Sequence, residues 1–182
     1  MNRTAARSFA YTLLGMLWLT SSCYAKQVTP VDAPLQASEE ALPLVSGPFF
    51  VLYGDSYLPC DYRAVQAAFA ASGQPALMTV YRNAGQWDKS NVEFAAGRIR
   101  VYDKTRTTPQ MDCIDYGLGV FAPRVFAALP AGEPADLAAV YQQLLARGEL
   151  AGYRVTERFY HIGSFAALEE TRQFLQTANT SS

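Results

Sequence analysis

Residues 49–82 read as strand, helix, strand, and that succession constrains the fold more than any other feature of the chain. The run "FFVLY" (49–53) is apolar and rich in strand-forming residues, and it leads straight into Gly54 and Asp55. In "DYRAVQAAFAASG", Asp61 suits an N-cap, Val65, Ala68 and Phe69 share one face, and Gly73 suits a C-terminal stop. "PALMTVYR" (75–82) is a second apolar strand. A helical crossover of this length predicts that the two strands pair in parallel within an α/β sheet.

The rest of the chain continues in the same manner. "NVEFAAGRIRVYDK" alternates on both sides of Ala96-Gly97, the mark of a hairpin. "MDCIDYGLGVFA" is a further strand whose Gly117 and Gly119 suit a place where something approaches the backbone closely. "PADLAAVYQQLLARG" is an amphipathic helix stopped by Gly148. "LAGYRVTERFYHIG" holds two short strands, and Ser164 caps a closing helix, "FAALEETRQFLQTAN". No internal repeat is present.

Ahead of this regular region, "MNRTAARSFAYTLLGMLWLTSSCYA" runs basic, apolar, small, the order of a signal peptide. Its apolar stretch, Phe9 to Leu19, falls short of the roughly 20 residues a membrane span needs. The expected layout is a signal-like or unrelated segment at 1–25, a linker at 26–47 with a short helix near Ser38 to Leu44, one domain at 48–177 and a tail at 178–182. A hydrophobic fraction of 50% supplies a core for one such domain. With a formal net charge of -1 and no basic stripe, nucleic acid is not an expected partner. Cys23, Cys60 and Cys113 are too scattered for a disulfide framework, so Cys60 and Cys113 are expected as free thiols in a reducing compartment.

Five places carry candidate chemistry. In an open parallel sheet, ligands bind beyond the carboxyl ends of the strands, where Gly54-Asp55 falls. Gly54 leaves room for a ligand, and the Asp55 carboxylate must meet water, a partner or a cation; a solvated turn satisfies it equally well. Lys104 at a strand end suits a phosphate or open solvent. Asp115, beside the paired glycines, suits sugar hydroxyls or an edge-strand surface. Ser90-Asn91 either offers amide contacts or begins a strand. His161 precedes a Gly-Ser helix start, a position that favours anions, and is otherwise a packed or surface histidine.

Taken in order, "FFVLYGDSYLPCDYRAVQAAF", "PALMTVYRN", "WDKSNVEF", "VYDK", "IDYGLGVF" and "LAGYRVTERFYHIGS" resemble the sugar-phosphate nucleotidyltransferase family across about residues 48–175. The nearest branch is the one resembling heptose- and mannose-1-phosphate guanylyltransferases. The resemblance implies a Rossmann-like α/β fold, with an NTP and a sugar 1-phosphate as partners and an NDP-sugar and pyrophosphate as products. It also implies that Asp55 is a catalytic carboxylate holding Mg2+, that Lys104 meets the sugar phosphate, and that Gly54, Asn91, Asp115 and Gly117 line the substrate site. His161 stands where the family places its second metal-binding acid, and an imidazole suits Zn2+ or Mn2+ better than Mg2+.

The family's Gly-Gly-x-Gly-x-Arg-Leu loop and its following Pro-Lys pair have no counterpart in the sequence. The expectation is therefore a nucleotidyltransferase sheet lacking its first strand-helix-strand unit, with an exposed edge open to self-association. Two functional readings follow: a nucleotidyltransferase in the cytoplasm, where NTPs are found, or an inactive remnant that retains sugar-phosphate binding. Export is the alternative location if residues 1–25 act as a signal.

Overall fold

The computed structural model describes residues 45–127, 129 and 136–180. The signal-like segment, nearly all of the expected linker and its short helix lie outside the described residues. The elements run β1 (Phe49–Leu52), β2 (Ser56–Tyr57), α1 (Tyr62–Ser72), β3 (Ala76–Arg82), β4 (Val92–Ala95), β5 (Arg98–Tyr102), β6 (Cys113–Phe121), α2 (Pro123–Ala127), α3 (Leu137–Ala146), β7 (Leu150–Val155), β8 (Tyr160–His161) and α4 (Phe165–Thr180).

Local signals form these elements as their chemistry dictates. The Asp61 carboxylate accepts from the Arg63 and Ala64 amides at 2.9 and 3.1 Å, and Gly73 closes α1 with a φ of 66°. Asp136 caps α3 through the Ala138 amide, and the Ser164 hydroxyl accepts from Ala167 at the start of α4.

The hairpin β4–β5 turns on two residues, Ala96 at φ 52° and Gly97 at φ 73°, the left-handed pair of a type I′ turn. Glycine adopts this conformation freely, whereas the Ala96 Cβ crowds its own carbonyl, at about 1 kcal/mol. Ala96→Asn, which restores the favoured Asn-Gly pair, is expected to stabilise the domain by roughly 0.5–1 kcal/mol. A urea midpoint that stays put or falls would count against strain at this turn.

The sheet departs from the parallel pairing that the strand-helix-strand succession implies. β1 and β3 run in the same direction but do not touch: β6 lies between them, antiparallel to both. The main sheet runs β5-β4-β6-β3-β7, with β1 also on β6, and β3–β7 is its parallel pairing among the described residues. A crossover helix fixes direction, not adjacency, and a long strand arriving later in the sequence took the central place. β6 is that strand, buried along its whole length.

Two cores flank the sheet. On one face α2 and α3 pack Phe126, Leu137, Val140, Tyr141 and Leu144 against Met78, Val92, Ile99 and Phe121. On the other, Val65 and Phe69 of α1 meet Leu77, Tyr116, Leu118 and Val120. A separate ribbon, β2–β8, pairs Ser56 with His161 and carries α4, whose Phe174 stacks on Tyr160 with centroids 4.2 Å apart. Among the described residues the second edge of β1 is unpaired, and Leu52 at its end is exposed.

Candidate functional site

Along one edge of β6, β1 and β4 lie end to end, and the gap between them holds the candidate site. β1 covers Leu118 to Phe121, while β4 meets Cys113. The intervening stretch of β6 is irregular: its register with β3 shifts between Met78 and Val80, and Gly117 takes a φ of 89°. The Thr79 hydroxyl fills the irregularity by donating to the Leu118 carbonyl at 2.6 Å. Bulges of this kind re-aim side chains, and here Asp115 is the one turned inward.

Asp115 is 9% exposed. Its Oδ2 accepts from the Tyr53 hydroxyl at 2.6 Å and the Tyr102 hydroxyl at 3.0 Å, and its Oδ1 accepts from the Gly117 amide at 3.0 Å. Three of roughly four acceptor directions are therefore taken within the protein. Burial, and then the charge of Asp115, push the Tyr53 and Tyr102 phenols far above their ordinary range. Both hydroxyls stay protonated and donate to the carboxylate. The close approach suggested by Gly117 is real, and the group that approaches is the Tyr53 ring: a Cβ there would lie 2.9 Å from Tyr53 Cδ2.

Asn91 bridges the gap where no strand runs. Its Oδ1 accepts from the Asp115 amide at 2.9 Å, its own amide donates to the Cys113 carbonyl, and its carbonyl accepts from Asp103. Asp103 in turn organises the turn bearing Lys104, accepting at Oδ1 from the Thr105 amide (2.8 Å), the Thr105 hydroxyl (2.7 Å) and the Arg106 amide (3.0 Å). The Thr105 hydroxyl, followed by those amides, holds the Asp103 carboxyl below the usual range. Lys104 Nζ lies 3.5 Å from the Tyr53 hydroxyl oxygen, to which it donates, and 5.1 Å from the ring centroid. No carboxylate is within ion-pair distance of it among the described residues.

Four of the sequence candidates thus meet: Asn91, Lys104, Asp115 and Gly117, with Tyr53 at their centre. Ser90 is buried and spoken for. Its hydroxyl accepts from Asn83 Nδ2, which also donates to the Asp88 carbonyl, so Asn83 shapes the 83–90 loop.

Gly54, Asp55 and His161 form a second group: Gly54 and Asp55 directly follow Tyr53, and the β2–β8 ribbon brings His161 beside them. Nothing lies within 4 Å of a Cβ built on Gly54. Asp55 is exposed, takes the Ser56 hydroxyl at 3.1 Å and forms no ion pair among the described residues. Its carbonyl accepts from the Ile162 amide, which places it against the His161 strand. An exposed carboxylate of this kind fits one protein ligand of Mg2+, whose remaining positions go to water and phosphate oxygens.

His161 fits less well. Its Nδ1 accepts from the Gly163 amide at 3.3 Å, so in the neutral ring the proton sits on Nε2 and neither nitrogen offers a free lone pair. Among the described residues no three His, Cys, Asp or Glu side chains gather as a metal cluster.

Sequence reading missed the tyrosines, because Tyr53 and Tyr102 look like ordinary alternating core positions. It also missed Arg158, whose guanidinium lies 3.4 Å from the Trp87 ring centroid and 4.8 Å from that of Tyr160. Two bonds of 2.7 and 2.8 Å tie Arg158 to Glu170, pinning the 83–90 loop to α4. Cys60 and Cys113 are unpaired thiols, pushed up to about 11 and about 12 chiefly by burial. No described helix is long and apolar enough to cross a membrane.

No family model matches the chain, and no curated protein does. Solved structures do. One is assigned as a glucose-1-phosphate thymidylyltransferase from Bacillus anthracis, in complex with sucrose: 14% identity over 74% of this chain and 57% of that one, with a TM-score of 0.62. Another is the inositol-1-phosphate CTP transferase of T. maritima, with 23% identity over 70% of this chain and 54% of that one, and a TM-score of 0.56. The chain spans little more than half the length of either. Over that span it has their fold, a mixed α/β sheet, here with helices on both faces.

Proposed function

We propose that this chain binds a sugar 1-phosphate at the gap between β1 and β4 and serves the transfer of a nucleoside monophosphate to it from an NTP. The observation that carries the reading is Lys104: a cation without a carboxylate partner among the described residues, held by the Asp103 turn and the Tyr53 ring beside Asn91 and Gly117. The shared fold supports it, since the neighbours are named a glucose-1-phosphate thymidylyltransferase and an inositol-1-phosphate CTP transferase.

In this reading Lys104 neutralises the sugar phosphate and Asn91 and Gly117 border the sugar. Asp115 holds Tyr53 in place more than it contacts substrate. Asp55 would hold Mg2+, and when bound that ion neutralises charge on the phosphate oxygens. Little covalent chemistry falls to the protein, because in-line attack by the sugar-phosphate oxygen depends on orientation and charge neutralisation.

The His161 tautomer favours a second reading, in which the site binds sugar 1-phosphate without transfer. Both are tested on the full-length chain with GTP and mannose 1-phosphate or heptose 1-phosphate. Pyrophosphate release that requires Mg2+ and is lost in Asp55→Asn supports transfer. Saturable binding of mannose 1-phosphate with no release supports the second reading. Absence of binding defeats both.

A further inference from the structure

We infer that Tyr53 is a positioning residue that aims the Lys104 ammonium at its anionic ligand, while Tyr102, bound to the same carboxylate oxygen, has no such role. The inference rests on the proposed reading of Lys104 as the phosphate-binding cation. Its own basis is the order of contacts. The Tyr53 hydroxyl has one proton, and the 2.6 Å bond directs it to Asp115 Oδ2. The oxygen lone pairs are left to accept from Lys104 Nζ at 3.5 Å, and the ring face lies 5.1 Å from the same nitrogen.

A lysine carries four flexible carbons and rarely holds one place by itself. Here one ammonium hydrogen is directed to Tyr53, and two remain for an incoming oxyanion. The Tyr102 hydroxyl also donates to Asp115 Oδ2, at 3.0 Å, yet among the described residues Lys104 donates to Tyr53 and not to Tyr102. The two tyrosines share a carboxylate oxygen, and of the two hydroxyls the Tyr53 one meets Lys104, so Tyr102→Phe reports what loss of a bond to Asp115 does by itself.

The test measures mannose 1-phosphate binding to the full chain by calorimetry, alongside thermal midpoints. Lys104→Met is expected to weaken binding at least tenfold, Tyr53→Phe about fivefold, and Tyr102→Phe less than twofold. In a Lys104→Met background, Tyr53→Phe is expected to add nothing, because its effect passes through the ammonium. Asp103→Ala, which releases the turn bearing Lys104 and leaves the sheet intact, is expected to behave as Tyr53→Phe does, and it stands in should that variant fold poorly.

Unchanged binding in Lys104→Met would overturn the phosphate reading and this inference with it. Weakened binding there, with Tyr53→Phe and Tyr102→Phe alike, would overturn only the inference. So would a full additive loss in the Tyr53→Phe, Lys104→Met double variant, which would make Tyr53 a direct ligand contact.

Discussion

Gly119→Ala is expected to destabilise the domain by about 3 kcal/mol, near the upper end of what overpacking a core costs. A Cβ at position 119 would sit 2.7 Å from Phe121 Cε2 and closer still to the Tyr141 hydroxyl. Neither neighbour can yield. Phe121 and Tyr141 are almost wholly buried, and their rings pack on each other with centroids 5.3 Å apart. Position 119 itself lies on β6, held by β1 on one edge and β3 on the other. Displacing Tyr141 would press on Tyr102, which it meets edge-on at 5.9 Å, and so on the carboxylate of Asp115. One methyl group therefore reaches the candidate site through the core that packs on the same face of the sheet. At a few degrees per kcal/mol, the thermal midpoint should fall by roughly 10 °C. Tyr141→Phe removes the nearest atom, and in the Gly119→Ala background it should recover about 1 kcal/mol. A Gly119→Ala midpoint within 2 °C of the parent would show that the space is not closed.

That crowding was half legible. The sequence placed two glycines in one strand and implied a close neighbour, but the neighbours, Tyr53 and Tyr141, come from 64 residues before Gly117 and 22 after Gly119, too far for any local pattern to register. The same division runs through the fold. Caps at Asp61 and Ser164 and the turn at Ala96-Gly97 depend on neighbours within four residues, and those elements formed as their signals indicated. Strand order depends on contacts between distant segments. The pairing expected of β1 with β3 gave way to β6, which offers nine buried residues and backbone partners for both.

At the site, Lys104 stood out as a charge at a strand end and Asp115 as a carboxylate beside the paired glycines. The Tyr53 hydroxyl that joins them was hidden, since a tyrosine in an apolar run reads as core. His161 shows the converse. Its place beside Asp55 followed from the motif order, but its tautomer hangs on one amide, Gly163, that no residue pattern announces.

The buried phenols make alkaline pH the second large lever. Stability should hold to about pH 9, fall above about pH 10 and collapse between about pH 11 and 13, with several tyrosines ionising in the same step. Burial, with Asp115 next in weight, raises Tyr53, Tyr102 and Tyr141 far above the ordinary 10.0, and burial raises Tyr116 likewise. Tyr62 is pushed up to about 12 and Cys60 to about 11. The direction of linkage follows from these shifts. A group that keeps its proton longer when folded favours the folded state fully below its unfolded value, and that contribution drains away as pH climbs above it. Each phenol that ionises only on unfolding costs about 1.4 kcal/mol per pH unit above 10. Four of them remove roughly 5 kcal/mol per unit, so a domain of about 5–15 kcal/mol stability is exhausted within one to three units. Tyrosinate absorbance near 295 nm and circular dichroism should therefore change together and steeply. Tyr116→Phe isolates one contributor, because that hydroxyl is buried with no hydrogen-bond partner among the described residues. Its loss should leave stability at pH 7 unchanged or raised by up to about 1 kcal/mol. At high pH the variant should unfold with one proton fewer, shifting the midpoint upward. Tyrosines titrating singly near pH 10 with an undisturbed dichroism spectrum would mean that the rings are open to water, and that the Tyr53–Asp115–Tyr102 cluster is not the sealed unit that its geometry describes.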